Sequence, residues 1–128
     1  MARGLADTSV FIAAESGRLL DVDALPDQLA VSIITIGELR AGVLAATDIS
    51  TRDRRLNTLT SALALDPIPI DGDVAATWAR LRVALRDAEL RMPVNDSWIA
   101  ATAMSLGVPV VTQDDDFPSV EGLDVVRV

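Results

Sequence analysis

Short apolar runs alternate along the chain with longer stretches whose apolar residues recur at helical spacing. The apolar runs predict five buried strands, at 4–6, 30–34, 67–70, 108–112 and 123–128. The stretches between them predict five helices, at 8–16, 35–46, 50–65, 72–90 and 95–106. In the fourth helix, Trp78, Leu81 and Leu85 share one face while Arg82 and Arg86 turn away from it, as expected of a helix packed on a core.

The order of these elements indicates the fold class. Strands that alternate with helices and lack a polar face are typical of a mostly parallel sheet covered on both sides. We therefore predict a three-layer α/β/α fold, with residues 1–128 forming one domain. In such folds ligands bind outside the carboxyl ends of the strands, so candidate chemistry is sought there.

Composition narrows the chemistry further. Half of the residues are hydrophobic, and 11 basic against 19 acidic residues give a formal net charge of −8. Every basic residue is Arg, and the chain has no Lys, His, Cys or Tyr. These absences exclude a Ser-His-Asp triad, a thiol nucleophile, a zinc finger and a Walker-A phosphate loop. An enzyme built from this inventory is expected to use carboxylates and a hard metal ion.

Two acids stand where predicted strands end. Asp7 follows the first strand, and Asp114 follows the fourth. Each also has a plainer explanation, because Asp before a helix is a common N-cap and Asp114 opens a solvated run of three acids. The carboxyl ends of parallel strands share one edge of the sheet, so both acids are candidates for a single site.

Two further acids lie on predicted helices. Glu38 shares a helix face with Gly42, which would leave open space beside the carboxylate; an ordinary exposed Glu is the alternative. Asp96 falls in a first helical turn behind Asn95, the predicted cap, where the helix dipole favours an ionised acid. Convergence of the four acids would imply a divalent cation, because no Lys or His can neutralise them.

Four short motifs occur in order across nearly the whole chain, and together they resemble those of a known family. They are Asp7-Thr8-Ser9, Gly37-Glu38-Leu39-Arg40-Ala41-Gly42, Asn95-Asp96-x-x-Ile99-Ala100-Ala101-x-Ala103 and Val111-Thr112-x-Asp114-x-Asp116-Phe117. Together they resemble the four motifs of the PIN-domain family, in particular its VapC-type toxins. The resemblance implies a ribonuclease dependent on Mg²⁺ or Mn²⁺, usually a homodimer, which a VapB-type antitoxin holds inactive.

The resemblance also implies an acidic site. Its catalytic residues would be five acids, of which the first four would hold metal: Asp7, Glu38, Asp96, Asp114 and Asp116. Thr8 or Ser9 would supply the hydroxyl that supports the first Asp. The antitoxin would cover an apolar groove and block the acids with a basic residue. Simple burial is the alternative role for the apolar residues that could line this groove, which are Leu19, Leu20, Leu39, Val43, Leu44, Leu56 and Leu59.

Some features of the sequence have two interpretations. The arginines cluster at 52–55 and 80–91, where they could grip RNA phosphates or form solvated helix faces paired with neighbouring acids. Trp98 could stack on a base, although packing in the core or an interface is the favoured interpretation.

A non-catalytic binding or receiver-type signalling domain is the alternative function, and the absence of Lys counts against the receiver type. No stretch approaches the ~18 apolar residues of a spanning helix and no signal peptide is recognised, so we expect a cytoplasmic protein.

Overall fold

A computed structural model describes residues 1–128, with four strands and five α-helices. The strands are β1 Arg3–Ala6, β2 Gln28–Val31, β3 Val110–Thr112 and β4 Val125–Arg127. The helices are α1 Thr8–Glu15, α2 Ile33–Ala45, α3 Ile49–Leu63, α4 Gly72–Asp87 and α5 Val94–Leu106. A short 3-10 helix, Val22–Ala24, precedes β2. None of the helices combines the length and the apolar character needed to cross a membrane.

The strands form one sheet in the order β2-β1-β3-β4, and every pair is parallel. Leu5 pairs with Val110 and Ala6 with Val111 in the two central strands, so their side chains alternate between the two faces of the sheet. Gly4 allows these strands to approach closely, because a Cβ atom there would lie 2.6 Å from Cγ2 of Val111. The predicted α/β class is confirmed, with a sheet that is parallel throughout.

Helices cover both faces of the sheet. On one face Leu5 and Val110 pack against α4 and α5 through residues such as Leu81 and Ile99, all of them fully or almost fully buried. On the other face Ala6 and Val111 pack against α1. Helices α2 and α3 pack on each other and enclose a smaller cluster with Val31. The three layers are therefore those predicted from the alternation of strands and helices.

The predicted strand at 67–70 is wrong. Only Ile68 pairs with the sheet edge, donating its N–H to Val31 O (2.8 Å) and accepting from Ile33 N–H (2.9 Å). On one side Asp66 has a positive φ of 53°, and on the other side α4 begins at Gly72 behind its cap Asp71, so the chain leaves strand geometry within a few residues of Ile68. The apolar composition of the run therefore yields a single bridge.

The predicted strand at 30–34 also has different limits. It begins earlier and ends at Val31, because the Ser32 hydroxyl accepts the N–H of Ile34 and caps α2. The predicted cap at Asn95 is wrong as well, since Pro93 precedes the first residue of α5 and Asn95 lies inside the helix. Pro suits that boundary because it disfavours helical geometry in the residue before it.

Candidate active site

The five predicted acids come from four segments at the carboxyl edge of the sheet. Asp7 directly follows β1, and Asp114 lies two residues beyond the end of β3, with Asp116 farther along the same loop. Glu38 lies in the second turn of α2, the helix that follows β2, and Asp96 lies in the first turn of α5. Parallel pairing puts the ends of β1, β2 and β3 at one edge, so chain segments distant in sequence meet there.

Asp7 is held by the neighbouring strand. Its side chain is buried, with only 3% of the residue exposed, and Oδ2 accepts a hydrogen bond of 2.9 Å from Oγ1 of Thr112. Although Asp7 occupies the N-cap position of α1, its carboxylate makes no capping hydrogen bond. The N-cap explanation is therefore wrong, and the carboxylate is available to the edge of the sheet.

A directed chain of hydrogen bonds supports Asp7. Because the Thr112 hydroxyl donates to the carboxylate, it must accept from the Ser9 hydroxyl (3.1 Å) and from the Asp114 N–H (3.0 Å). The Ser9 oxygen in turn accepts the N–H of Gln113 at 3.0 Å. Thr112 therefore connects Asp7 to the backbone of the loop that carries Asp114.

Glu38 is held in a similar way. The Thr8 hydroxyl donates to its Oε1 at 2.7 Å, so the buried Thr35 hydroxyl, 2.9 Å from that of Thr8, must donate to Thr8. The interpretation of Glu38 as an ordinary exposed residue is wrong, since it is half-buried and hydrogen-bonded. As predicted, Gly42 leaves space, because both residues line a cavity of about 350 Å³ and a Cβ at Gly42 would contact only Arg55, at 3.9 Å.

Electrostatics show that the acids act on one another. The pKa of Asp96 is raised to about 7, first by burial and then by repulsion from the other four acids, namely Asp7, Asp116, Glu38 and Asp114. Burial and the charges of Asp7 and Asp116 also raise the pKa of Asp114, while Arg18 and Arg127 oppose that rise. The five acids therefore form one cluster of negative charge.

The chemistry of the cluster suits a hard divalent cation. Its donors are carboxylate oxygens, the ligands preferred by Mg²⁺ and Mn²⁺, and neither Lys nor His is present in the chain. As the side chains lie, no three of the acids have the arrangement of a formed metal site. The repulsion that raises the pKa of Asp96 is the kind that a bound cation relieves.

The prediction that Thr8 or Ser9 supports Asp7 is wrong. Thr112 supports Asp7, whereas Thr8 supports Glu38 and Ser9 acts one step behind Thr112. Thr112 is the last residue of β3, and the parallel pairing of β3 with β1 brings it to Asp7. A polar residue that ends an apolar strand is the sequence signal that could have identified it.

Three of the clustered arginines and Trp98 contact other parts of the protein. Arg52 donates to Ala46 O (2.9 Å) and Arg55 to Gly42 O (2.7 Å), so both bind backbone carbonyls at the end of α2. Arg86 pairs with Asp87, as expected of a solvated helix face. Trp98 stacks on Trp78 with ring centroids 4.2 Å apart, which confirms that it is a packing residue.

Comparison with known proteins adds independent evidence. The model of the PIN domain matches residues 5–123 of the chain. Ribonuclease VapC5 of Mycobacterium tuberculosis is 48% identical over 130 residues, which cover 99% of this chain and 96% of that protein. Ribonuclease VapC4 of the same organism is 45% identical over 127 residues, which cover 98% and 97%.

A solved structure shows the same likeness in three dimensions. The crystal structure of VapBC-5 from Mycobacterium tuberculosis, a member of the VapBC family of toxin-antitoxin systems, includes a chain that matches with a TM-score of 0.92. The two chains are 44% identical, and the match covers 100% of each. The likeness thus extends over the whole sheet, all the helices and the loops that carry the acids.

Proposed function

Because the chain belongs to the PIN-domain family, we propose that it is an endoribonuclease of the VapC type, the toxin of a toxin-antitoxin pair. The observation that carries the proposal is the cluster of five acids, in which burial and then mutual repulsion raise the pKa of Asp96 to about 7. Relatives named as VapC ribonucleases cover nearly the full chain, which supports the same activity. Membership of the PIN-domain family also argues against the alternative of a receiver-type signalling domain.

In the proposed reaction the acids hold Mg²⁺ or Mn²⁺. Asp7, Glu38, Asp96 and Asp114 would hold the cation, and Asp116 lies in the same negative field. A bound divalent cation supplies an acidified water and neutralises charge on the phosphate that is attacked. This role is consistent with the residue inventory, since the chain offers no His, Lys, Cys or Tyr for acid-base chemistry.

The chain itself contributes orientation. The hydroxyls of Thr112 and Thr8 each donate their only proton to a carboxylate, which fixes one oxygen of Asp7 and one of Glu38. The lone pairs on the other carboxylate oxygens remain free for ligands. Burial of Asp7 keeps bulk water from competing at that position.

Cleavage by the purified chain tests the proposal. We expect a single-stranded RNA to be cut when Mg²⁺ or Mn²⁺ is present, and cutting to stop when EDTA is added. Asp96→Asn is expected to abolish cleavage, while Asp53→Asn, an exposed acid on α3, serves as the matched control. Full metal-dependent cleavage by folded Asp96→Asn would contradict the assignment of the site.

We also propose that a VapB-type antitoxin covers the cavity beside Glu38. The groove between α1, α2 and α3 is open there, and the acid cluster would attract a basic side chain of the partner. Of the apolar residues predicted to line such a groove, Leu39 and Leu59 belong to the core, and Leu20 and Val43 are half-buried. The remaining three, Leu19, Leu44 and Leu56, are exposed by 92%, 77% and 47%, as partner-binding residues require.

Co-expression tests the partner. We expect the gene next to the one for this chain to encode a small protein that co-purifies with it as an inactive complex, and we expect Leu44→Glu to weaken that complex. Failure of the neighbour to bind would contradict the antitoxin assignment and leave the cleavage assay unaffected. A homodimer and a cytoplasmic location, where RNA and the antitoxin would be met, complete the proposal, and sedimentation equilibrium of the purified chain tests the dimer.

A further inference from the structure

A surface groove runs from the acid cluster towards α4. It consists of two adjoining hollows, of about 430 and 300 Å³, that share Arg91 and Met92. The first hollow reaches Asp116, and the second is lined by Arg82 and Arg86 of α4. We call the surface formed by Arg82, Arg86 and Arg91 the arginine groove.

Two of these arginines have no anionic partner within the protein. The chain contains only two ion pairs, Arg86 with Asp87 and Arg127 with Asp115. Arg82 and Arg91 are exposed, and their guanidinium groups form no ion pair and donate no hydrogen bond, although acidic residues outnumber basic ones. Their guanidinium groups are therefore free to bind an external anion.

Aromatic stacking places Arg82 relative to the acid site. Its guanidinium lies 5.5 Å from the ring centroid of Trp78, which stacks on Trp98 at an interplanar angle of 3°. Trp98 is two residues beyond Asp96 on α5, and Trp78 Nε1 donates to Ser97 Oγ at 2.9 Å. The stack restrains the guanidinium while its N–H groups remain available, the arrangement that suits phosphate binding.

We propose that the arginine groove binds the phosphate backbone of the RNA strand on one side of the bond that is cut. The inference rests on the proposed ribonuclease function and adds the path of the substrate. A chain with a net charge of −8 needs local positive charge to hold a polyanion, and in this groove it lies next to the acids. Arg82 and Arg86 are four residues apart on one helix, about 6 Å along its axis, so they can contact phosphates of the same strand.

Binding of RNA at several salt concentrations tests the groove. The probe is a fluorescein-labelled, unstructured RNA of about 20 nucleotides, and full-length Asp96→Asn is used so that the probe stays intact. Arg91→Gln is the primary variant, since Arg91 contacts no other residue through ion pairs or hydrogen bonds and its loss should not affect folding. Arg80→Gln is the matched control, because it removes the same charge from an exposed position of α4 outside the groove.

We expect Arg91→Gln and Arg82→Gln each to weaken binding roughly three- to tenfold. Each is also expected to reduce the slope of log K against log salt by about 0.7, the value for one phosphate contact on a single strand. In the cleaving protein the loss should appear in KM rather than kcat, as expected of binding away from the reacting bond. Near-ultraviolet circular dichroism of the stacked indoles checks the fold of Arg82→Gln.

Two outcomes separate the groove from the underlying function. One outcome is that the wild-type chain cleaves RNA but Arg91→Gln and Arg82→Gln match Arg80→Gln in affinity and salt slope. The proposal that the arginine groove binds RNA is then wrong, and the proposed ribonuclease function is unaffected. If the wild-type chain neither binds nor cleaves RNA with Mg²⁺ or Mn²⁺, the proposed function itself is wrong.

Discussion

The acid cluster has an anchored half, formed by Asp7 and Glu38, and a free half, formed by Asp96 and Asp114. Asp7 and Glu38 each accept a hydrogen bond from a threonine hydroxyl, and each threonine is itself connected to a second hydroxyl. Asp96 has no such partner, and its pKa is raised by burial and by the charges of the other acids. Asp114 is held through its backbone N–H rather than through its carboxylate.

The difference indicates how the two halves would respond to a cation. The anchored carboxylates keep their orientation without one, because the hydrogen bonds fix them. The free carboxylates are held apart by repulsion, and Asp96 keeps a proton up to about pH 7. We therefore expect substitutions in the anchored half to impair orientation, and substitutions in the free half to change charge and cation binding.

The largest effect is expected from the free half, at Asp96. Asp96→Asn removes a proposed cation ligand and should reduce cleavage by roughly a thousandfold or more. The folded state should persist, because the substitution relieves repulsion in the metal-free protein. Single-turnover cleavage of a defined RNA measures the effect, with Asp53→Asn as the control. A loss of less than tenfold would place the ligands elsewhere.

The anchored half is tested at Thr112. Thr112→Val keeps the shape of the side chain but removes the donor to Asp7 and the acceptor for Asp114 N–H, so cleavage should fall about 10- to 100-fold. Thr112→Ser should retain most of the activity, since the hydroxyl remains. Thr102→Val removes a buried hydroxyl that binds only its own helix at Trp98 O, and it controls for general loss of packing. Equal activity of Thr112→Val and Thr102→Val would refute the positioning role.

Cation binding should stabilise the fold through the free half. At ~100 times the dissociation constant, binding to the native state alone adds about 2.7 kcal/mol. Thermal unfolding with and without Mn²⁺ should show a rise in Tm for the wild type and for Asp53→Asn, and a much smaller rise for Asp96→Asn. An identical rise in all three proteins would indicate binding outside the cluster.

The pH dependence of stability without metal gives another test of the free half. The pKa of Asp96 is about 7 in the folded state and near 3.9 when unfolded, so the folded state binds more protons between these values. The free energy of unfolding should therefore fall as pH rises from about 4 to 7. Urea unfolding in EDTA at several pH values measures the slope, and Asp96→Asn should flatten it. A wild-type slope unchanged by that substitution would assign it to other groups.

The sequence predicts the fold better than the details of the site. Apolar runs and helical spacing suffice to predict the layers, because they report on burial, which depends on local composition. The run at 67–70 shows the limit, since its apolar composition indicated a strand while the structure forms only a single bridge there, at Ile68. Ser32 shortened the neighbouring strand through a single hydroxyl.

The acids of the site could be predicted from the sequence, whereas the threonine hydroxyls that donate hydrogen bonds to Asp7 and Glu38 could not. Asp7 and Asp114 lie at strand ends that are visible in the sequence. The contact between Thr112 and Asp7 joins residues 105 positions apart, and it depends on the register of β1 against β3. The stack of Arg82 on Trp78 likewise depends on how α4 packs on α5, which helical spacing alone does not specify.

The prolines at the edge of the sheet also affect self-association. Ile68 uses its N–H and its carbonyl on the β2 side, and Pro67 and Pro69 offer no donors to an incoming strand. Around Ile68 this edge therefore offers no donors for strand addition, the pairing through which exposed edges aggregate. The opposite edge, β4, carries no proline between Val125 and Arg127, so the two edges of the sheet differ in how readily they could accept a strand from a second copy.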